Sequence, residues 1–188
     1  MAHALTGLRL ALVLPFALAM AQPGAAAGLL CLALLGVAIA SDLADGPLAR
    51  ARGRASEFGR VFDHGTDFLF VCSGLVAAAQ RGALPVLLPL LVALAFAQYA
   101  GDSYVRGPER VLRMSALGRL NGILYFAPLV LDALARLGVA AFGLLASVAA
   151  WLLVASTLAS IADRLLSLRS SRTAPGSPAA GTTDRSRR

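Results

Sequence analysis

The sequence predicts an all-α, polytopic membrane protein with six transmembrane helices. Of its 188 residues, 58% are hydrophobic and only 14% are charged, whereas a soluble domain carries about 25% charged residues. Apolar segments of about 20 residues recur along the chain, which is the length that an α-helix needs to cross a bilayer. Helix breakers such as Gln22-Pro23-Gly24 separate these segments.

The predicted elements follow the apolar segments in order. The six spans are residues 5–21, 25–50, 57–79, 84–104, 117–134 and 139–166. Together they form a membrane domain over residues 1–168. Residues 169–188 are rich in Ser, Pro, Gly, Thr and Arg and lack an apolar face, so we expect a disordered basic tail there.

The placement of arginine predicts the orientation of the spans. All 17 basic residues are arginines, and only Arg81 and Arg136 fall in loops on the side opposite the termini. Because cytoplasmic loops are enriched in positive residues, we expect both termini in the cytoplasm. The same effect explains the net charge of +7, so nucleic acid is not an expected partner.

Three smaller features have simple structural interpretations. Cys31 and Cys72 lie inside apolar segments and are expected to act as small hydrophobic residues. Asp132 is expected to be a solvated loop charge. Gly36 and Ala40 are four residues apart, a spacing of small residues that permits close contact between helices.

Four aspartates stand at the junction of the second and third spans. Asp42 and Asp45 are three residues apart and Asp63 and Asp67 four apart, so each pair shares one face of its helix. An antiparallel arrangement of these helices would bring the four carboxylates together at their cytoplasmic ends. Carboxylates in a membrane segment mark an ion, substrate or catalytic site, and four supply oxygen ligands for one or two Mg²⁺ or Mn²⁺ ions.

Small and basic residues accompany the aspartates. Gly46 and Ala49 remove side-chain bulk where a nucleotide could lie against the helix, and the permanent cation of Arg50 suits phosphate. A cation relay in a membrane transporter would also use four carboxylates. A transporter does not explain the Gly, Ala and Arg positions, however.

The spacing of these residues resembles the signature of the CDP-alcohol phosphotransferases, also called CDP-alcohol phosphatidyltransferases. The matching positions are Asp42, Asp45, Gly46, Ala49, Arg50, Gly59, Asp63 and Asp67, with eight residues between Arg50 and Gly59. The resemblance extends to the six membrane helices. It implies transfer of a substituted phosphoryl group from a CDP-linked donor to an alcohol, with release of CMP.

The resemblance also implies a role for each matching residue. Asp42, Asp45, Asp63 and Asp67 would hold the metal, with two ions expected. Asp67 would in addition be the catalytic general base that deprotonates the acceptor alcohol. The CDP moiety would lie against a further set of residues, namely Gly46, Ala49, Arg50 and Gly59. The family likeness further suggests a homodimer.

Two local patterns favour different donors and acceptors. The segment 63–67 reads Asp-His-Gly-Thr-Asp, which looks like the aminoalcohol phosphotransferases that move phosphocholine or phosphoethanolamine to diacylglycerol. The segment 115–119 reads Ser-Ala-Leu-Gly-Arg, which is similar to an element of phosphatidylglycerophosphate synthases. The six-span size resembles the bacterial phosphatidyltransferases of the cytoplasmic membrane. We therefore expect transfer of a phosphatidyl group from CDP-diacylglycerol to a small polar alcohol, such as glycerol 3-phosphate or an inositol compound.

Overall fold

In the residues that the structure describes, all regular secondary structure is α-helical. The computed structural model describes residues 2–52, 57–106 and 116–173, and within them the side chains of 7–41, 64–101 and 118–166. The helices are α1 (Ala2–Ala21), α2 (Ala25–Arg52), α3 (Glu57–Gln80), α4 (Leu87–Arg106), α5 (Ala116–Leu124), α6 (Phe126–Ala135) and α7 (Ala140–Thr173). The all-α class is thus confirmed.

The fifth predicted span consists of two helices. α5 ends at Leu124 and α6 begins at Phe126. Pro128 explains the break, because a proline lacks the backbone N–H and its ring crowds the carbonyl four residues earlier, here that of Leu124. Tyr125 lies between the helices with near-helical dihedral angles (φ −62°, ψ −19°), so the chain bends without reversing.

Two glycines allow the chain to turn after α3 and α6. Gly82 and Gly138 have φ angles of 76° and 104°, a region that side chains with a Cβ rarely adopt. After α3, the backbone N–H groups of Gly82 and Ala83 donate to the carbonyls of Ala79 and Ala78. These bonds close the end of the helix.

The core lies where α1 packs against α3 and α6. The rings of Phe16 and Phe70 stack with centroids 4.3 Å apart, and both residues are fully buried with Leu129. Gly74 makes this contact possible, since a Cβ there would lie 3.1 Å from Phe16 Cζ, 3.3 Å from Leu129 Cδ2 and closer still to Phe16 Cε1.

A second close approach joins α2 to α6. A Cβ on Gly28 would lie 2.7 Å from the backbone oxygen of Ala133 and 3.0 Å from Arg136 Cβ. Gly36, where the sequence predicted close helix contact, has no atom within 4 Å of the corresponding position. Among the described residues, the close contact between α2 and α6 therefore lies at Gly28 and not at Gly36.

A buried ionic cluster joins the end of α1 to α3 and α6. Asp132 Oδ2 accepts from Arg81 Nη2 at 2.6 Å and from Arg136 Nη2 at 2.5 Å. Arg136 also donates to the backbone oxygens of Ala19, Met20 and Gln22. The prediction that Asp132 is a solvated loop charge is wrong, because its side chain is only 7% exposed.

The outer surface of the bundle is strongly apolar. Large hydrophobic side chains point away from the core, among them Leu14, Leu90, Leu144, Trp151 and Leu152. In the described residues, one helix is long and apolar enough by itself to cross a membrane, at Ala140–Leu166. Its 27 residues extend about 40 Å. Shorter apolar stretches are Gly7–Ala21, Ala25–Ser41 and Leu87–Gly101.

The C-terminal segment is described only at its start. α7 continues to Thr173, into the segment where the sequence predicts a tail. Residues 174–188 of that predicted tail lie outside the described residues.

Candidate functional site

A large cavity opens between the helices. Its volume is about 1150 Å³, and each of the seven helices contributes to its wall. Ligand pockets usually measure about 300–1,000 Å³, so this cavity lies just above the upper end of that range. The charged and titratable residues in its wall are Arg9, His64, Asp67, Arg119, Asp163 and Arg164.

One face of α3 provides the acidic part of the cavity wall. His64, Asp67, Phe68 and Val71 recur at intervals of three and four residues, so they follow one side of the helix. All four line the cavity. The chain therefore changes from polar to apolar along this face, from His64 and Asp67 to Phe68 and Val71.

Asp67 forms an ion pair with Arg9 of α1. Arg9 Nη1 donates to Asp67 Oδ1 across 58 positions of sequence. The Arg9 side chain is 4% exposed and that of Asp67 is 31% exposed. A buried cation is stable in an apolar bundle only when it is paired, so the contact holds the Asp67 carboxylate against α1 while part of it remains open to the cavity.

Aromatic rings from α3 and α4 form a neighbouring wall. Phe68 stacks on Phe96 with centroids 4.2 Å apart, and Tyr99 meets the His64 ring edge-on at 5.9 Å. These contacts explain the burial of one side of each ring and leave the rings in the cavity wall. They place His64 and its aromatic neighbours beside the acidic face of α3.

Neutral polar groups from α5 and α7 form a third part of the wall. Ser156 Oγ donates to Asn121 Oδ1 at 2.7 Å. The hydroxyl groups of Tyr125 and Thr157 share a hydrogen bond of 2.8 Å. Asn121, Tyr125 and Thr157 are buried and line the cavity.

The other residues of the aspartate motif lie on the two helices that the sequence predicted. Asp42, Asp45, Gly46, Ala49 and Arg50 belong to α2, and Gly59 and Asp63 belong to α3 with Asp67. Only Asp67 falls among the residues with described side chains; the ligand and nucleotide roles of the others concern side chains outside that set. Among the described side chains, no three His, Cys, Asp or Glu residues form a metal-binding group.

The helical architecture, the cavity and the motif agree with a comparison against protein families. A sequence model described as CDP-alcohol phosphatidyltransferase matches residues 1–162. The chain belongs to the CDP-alcohol phosphatidyltransferase family. No curated protein and no solved structure gave a significant match.

Membership of the CDP-alcohol phosphatidyltransferases defines the general chemistry of the site. The family implies a transferase of phosphate-containing groups that acts in phospholipid synthesis on a CDP-linked donor and an alcohol acceptor, generally with a divalent metal ion. Both the resemblance inferred from the motif and the assignment to the transferases are confirmed at this level.

Sequence reasoning missed several polar residues of the cavity wall. The pairing of Arg9 with Asp67 was not predicted, because the two residues lie 58 positions apart. Asn121 and Tyr125 lie four residues apart in an otherwise apolar segment. That spacing places them on one helix face and was the available signal for a polar stripe inside the bundle.

Proposed function

We propose that this CDP-alcohol phosphatidyltransferase moves a phosphatidyl group from CDP-diacylglycerol to a small polar alcohol, such as glycerol 3-phosphate or an inositol compound, and releases CMP. The observation that carries the proposal is the cavity, whose wall joins charged groups on α3, α5 and α7 to apolar groups on α3, α4 and α6. Such a wall suits a substrate with a charged head and an acyl tail. Family membership supplies the class of reaction.

Asp67 is the proposed general base. It lies in the cavity wall with its carboxylate partly exposed, so an acceptor hydroxyl can approach it. The hydroxyl proton passes to Asp67, and the alcohol oxygen forms a bond to the phosphorus next to the lipid. The bond from that phosphorus to the CMP oxygen breaks, and CMP leaves with the electron pair. Arg9 acts by holding the Asp67 carboxylate in place.

Carboxylates are the chemically appropriate ligands for the metal. The described member of the motif, Asp67, presents carboxylate oxygen at the cavity, and Mg²⁺ and Mn²⁺ favour such hard oxygen donors. Asp42, Asp45, Asp63 and Asp67 would hold the metal, with two ions proposed. When bound, the metal supplies positive charge that stabilises the transferring phosphoryl group and the leaving group.

The donor nucleotide is proposed to lie beside α2 and the beginning of α3. The small residues Gly46, Ala49 and Gly59 leave space for the CDP moiety, and Arg50 offers a cation to its pyrophosphate. These positions belong to helices that also contribute to the cavity wall.

We further propose that the helices form six membrane spans with both termini in the cytoplasm. The exposed apolar faces of α1, α4 and α7 support burial in lipid. The two arginines expected outside, Arg81 and Arg136, meet at the end of α1, whereas Arg119 and Arg164 line the cavity. The motif ends of α2 and α3 would then face the cytoplasm, in a bacterial cytoplasmic membrane, and the enzyme would act as a homodimer.

An aminoalcohol phosphotransferase is the second candidate. The Asp63-His64-Gly65-Thr66-Asp67 segment favours it, and His64 lies in the cavity wall beside Tyr99. In this alternative, phosphocholine or phosphoethanolamine moves from its CDP donor to diacylglycerol. The lipid would then be the acceptor rather than the donor.

Release of CMP from the purified full-length protein tests both candidates. CDP-diacylglycerol is offered with a panel of polar alcohols, and CDP-choline or CDP-ethanolamine with diacylglycerol, each with Mg²⁺ or Mn²⁺. Acceptor-dependent release in the first arm supports the phosphatidyltransferase and identifies its acceptor. Release confined to the second arm would establish the aminoalcohol phosphotransferase instead.

A cation-coupled transporter makes a different prediction about the nucleotide. The enzyme should bind CDP, and Ala49→Leu should weaken that binding because a larger side chain fills the proposed nucleotide space. A transporter has no use for CDP and should tolerate the substitution. Binding of CDP to the wild-type and Ala49→Leu proteins therefore separates the two classes without depending on turnover.

A further inference from the structure

A buried amide in the cavity wall has a hydrogen-bond donor without a well-placed acceptor. Asn121 is 1% exposed and lines the cavity. Ser156 donates to its Oδ1. The amide also interacts with the Tyr125 hydroxyl, but its Nδ2 makes no hydrogen bond of good geometry with any described residue. A buried N–H group without an acceptor costs about 1–3 kcal/mol. A ligand oxygen at this position would remove that cost.

The neighbours of Asn121 restrict the kind of oxygen that fits. Tyr125 and Thr157 are neutral and bonded to each other. Thr157 lies seven residues before Arg164 on α7, which corresponds to roughly 10 Å along the helix. Arg119 lies only two residues before Asn121 on α5. The amide therefore belongs to a neutral polar zone of the cavity that directly adjoins the charged groups that suit phosphate.

The order of groups along the wall matches the order of groups in a glycerolipid. Arg119 and Arg164 are charged and suit the phosphates. The neutral polar zone follows. Val130 and Leu131 of α6 and Val92 of α4 supply an apolar region for acyl chains. In a diacylglycerol lipid, the ester carbonyls lie between the phosphate and the chains, and they are neutral groups that only accept hydrogen bonds.

We propose that Asn121 Nδ2 donates a hydrogen bond to an acyl-ester carbonyl of the glycerolipid substrate. This inference rests on the proposed function, since it assumes that a diacylglycerol lipid occupies the cavity. It applies whether that lipid is the CDP-linked donor or the diacylglycerol acceptor. Ser156 positions the amide by bonding to its other end. The consequence is selectivity for ester-linked lipids over ether-linked lipids, which lack the carbonyl.

Equilibrium binding to full-length protein in detergent tests the inference. CDP-diacylglycerol is compared with a CDP-dialkylglycerol of the same chain length, and diacylglycerol with dialkylglycerol. We expect the wild-type protein to bind the ester form of its substrate about tenfold more tightly, the effect of one buried hydrogen bond worth about 1.4 kcal/mol. Equal affinities for ester and ether would overturn the assignment of Asn121.

The Asn121→Leu variant provides the complementary measurement. Leucine has the same number and branching of side-chain heavy atoms but no donor, so affinity for the ester lipid should fall about tenfold while affinity for the ether lipid changes much less. A variant that keeps the wild-type preference would also overturn the proposal. If it fails to fold, as judged by its thermal transition, the wild-type comparison still decides.

Measuring CMP release distinguishes a failure of this inference from a failure of the proposed function. CMP release is measured in parallel with the same lipids. Absence of release in both substrate arms would count against the proposed transferases, whereas the ester–ether binding ratio would still report on Asn121. Conversely, normal CMP release with no ester preference would leave the transferase intact and refute the hydrogen bond to the carbonyl.

Discussion

Replacing Asp132 by asparagine should strongly destabilise the protein. Asp132 Oδ2 accepts from Arg136 Nη2 at 2.5 Å and Nε at 3.2 Å, and from Arg81 Nη2 at 2.6 Å. The side chains of Asp132 and Arg136 are 7% and 5% exposed. Removing one member of a buried ion pair costs about 3–5 kcal/mol. Because Arg136 keeps its bonds to backbone oxygens of Ala19 and Met20, we expect the lower end, about 3 kcal/mol.

Thermal unfolding of the detergent-solubilised protein measures this loss. For a chain of this length, 1 kcal/mol shifts Tm by about 2–4 °C, so Asp132→Asn should lower Tm by about 6–12 °C. Asp163→Asn is the matched control, since Asp163 is exposed and its replacement should change stability by less than about 0.5 kcal/mol.

A double variant tests whether the loss of stability comes from the interaction between Asp132 and Arg136. In Asp132→Asn combined with Arg136→Met, the loss should be smaller than the sum of the two single losses, because the two residues are in contact. Strict additivity, or a Tm for Asp132→Asn within about 2 °C of wild type, would refute the view that this cluster fixes α1 to α3 and α6.

The remaining predictions concern packing, catalysis and the metal. Gly74→Ala should lower the free energy of unfolding by about 1–3 kcal/mol, because the added methyl group overpacks against Phe16. Gly36 has open space around it, so Gly36→Ala should be neutral or stabilising by up to about 1 kcal/mol. Equal Tm values for the two variants would contradict the packing described. Asp67→Asn should lower the rate of CMP release by about 10²–10⁴-fold while donor binding stays measurable, and wild-type turnover in this variant would exclude Asp67 as the base. Removal of divalent metal with EDTA should abolish CMP release, and added Mg²⁺ or Mn²⁺ should restore it; full activity in EDTA would refute the proposed metal requirement.

The sequence predicted the helices well because their boundaries depend on local chemistry. Apolar length and the Gln22-Pro23-Gly24 breaker located the boundary between α1 and α2 within a residue of that observed. The division of the fifth span was also a local effect, of Pro128 on the carbonyl of Leu124. It was missed because hydropathy remains continuous across Tyr125.

Contacts between distant parts of the chain could not be predicted in the same way. Asp132 lies four residues before Arg136, which was a usable hint of pairing. Arg81 and the carbonyl groups of α1 lie far from Asp132 in the sequence, however, and their contacts complete the buried cluster. The close helix contacts were likewise at Gly28 and Gly74 rather than at Gly36, because which face of a helix meets a neighbour depends on the packing of the whole bundle.

The candidate site shows the same difference between local features, which the sequence predicts, and contacts between distant residues, which it does not. The motif spacing at residues 42–67 predicted the family, which the family comparison confirms, and it also led to the proposal of Asp67 as a site residue. The partnership of Asp67 with Arg9 spans 58 positions, and the polar zone at Asn121 requires α5 to meet α7 at Ser156. The family was thus predictable from the sequence, whereas the shape and polarity of the cavity required the fold.

The two ends of the bundle use arginine in different ways, and the difference bears on where the proposed substrate binds. At the end of α1, the donors of Arg81 and Arg136 are directed to Asp132 and to backbone oxygens. A phosphate could bind there only by breaking those bonds, so we interpret that cluster as structural. Arg119 and Arg164 instead belong to the wall of a cavity that also contains Asp67. That cavity has room for a phosphorylated substrate, whereas the Asp132 cluster is closed by its own bonds. The arginine placement therefore favours the cavity, and not the Asp132 cluster, as the place where a phosphorylated lipid binds.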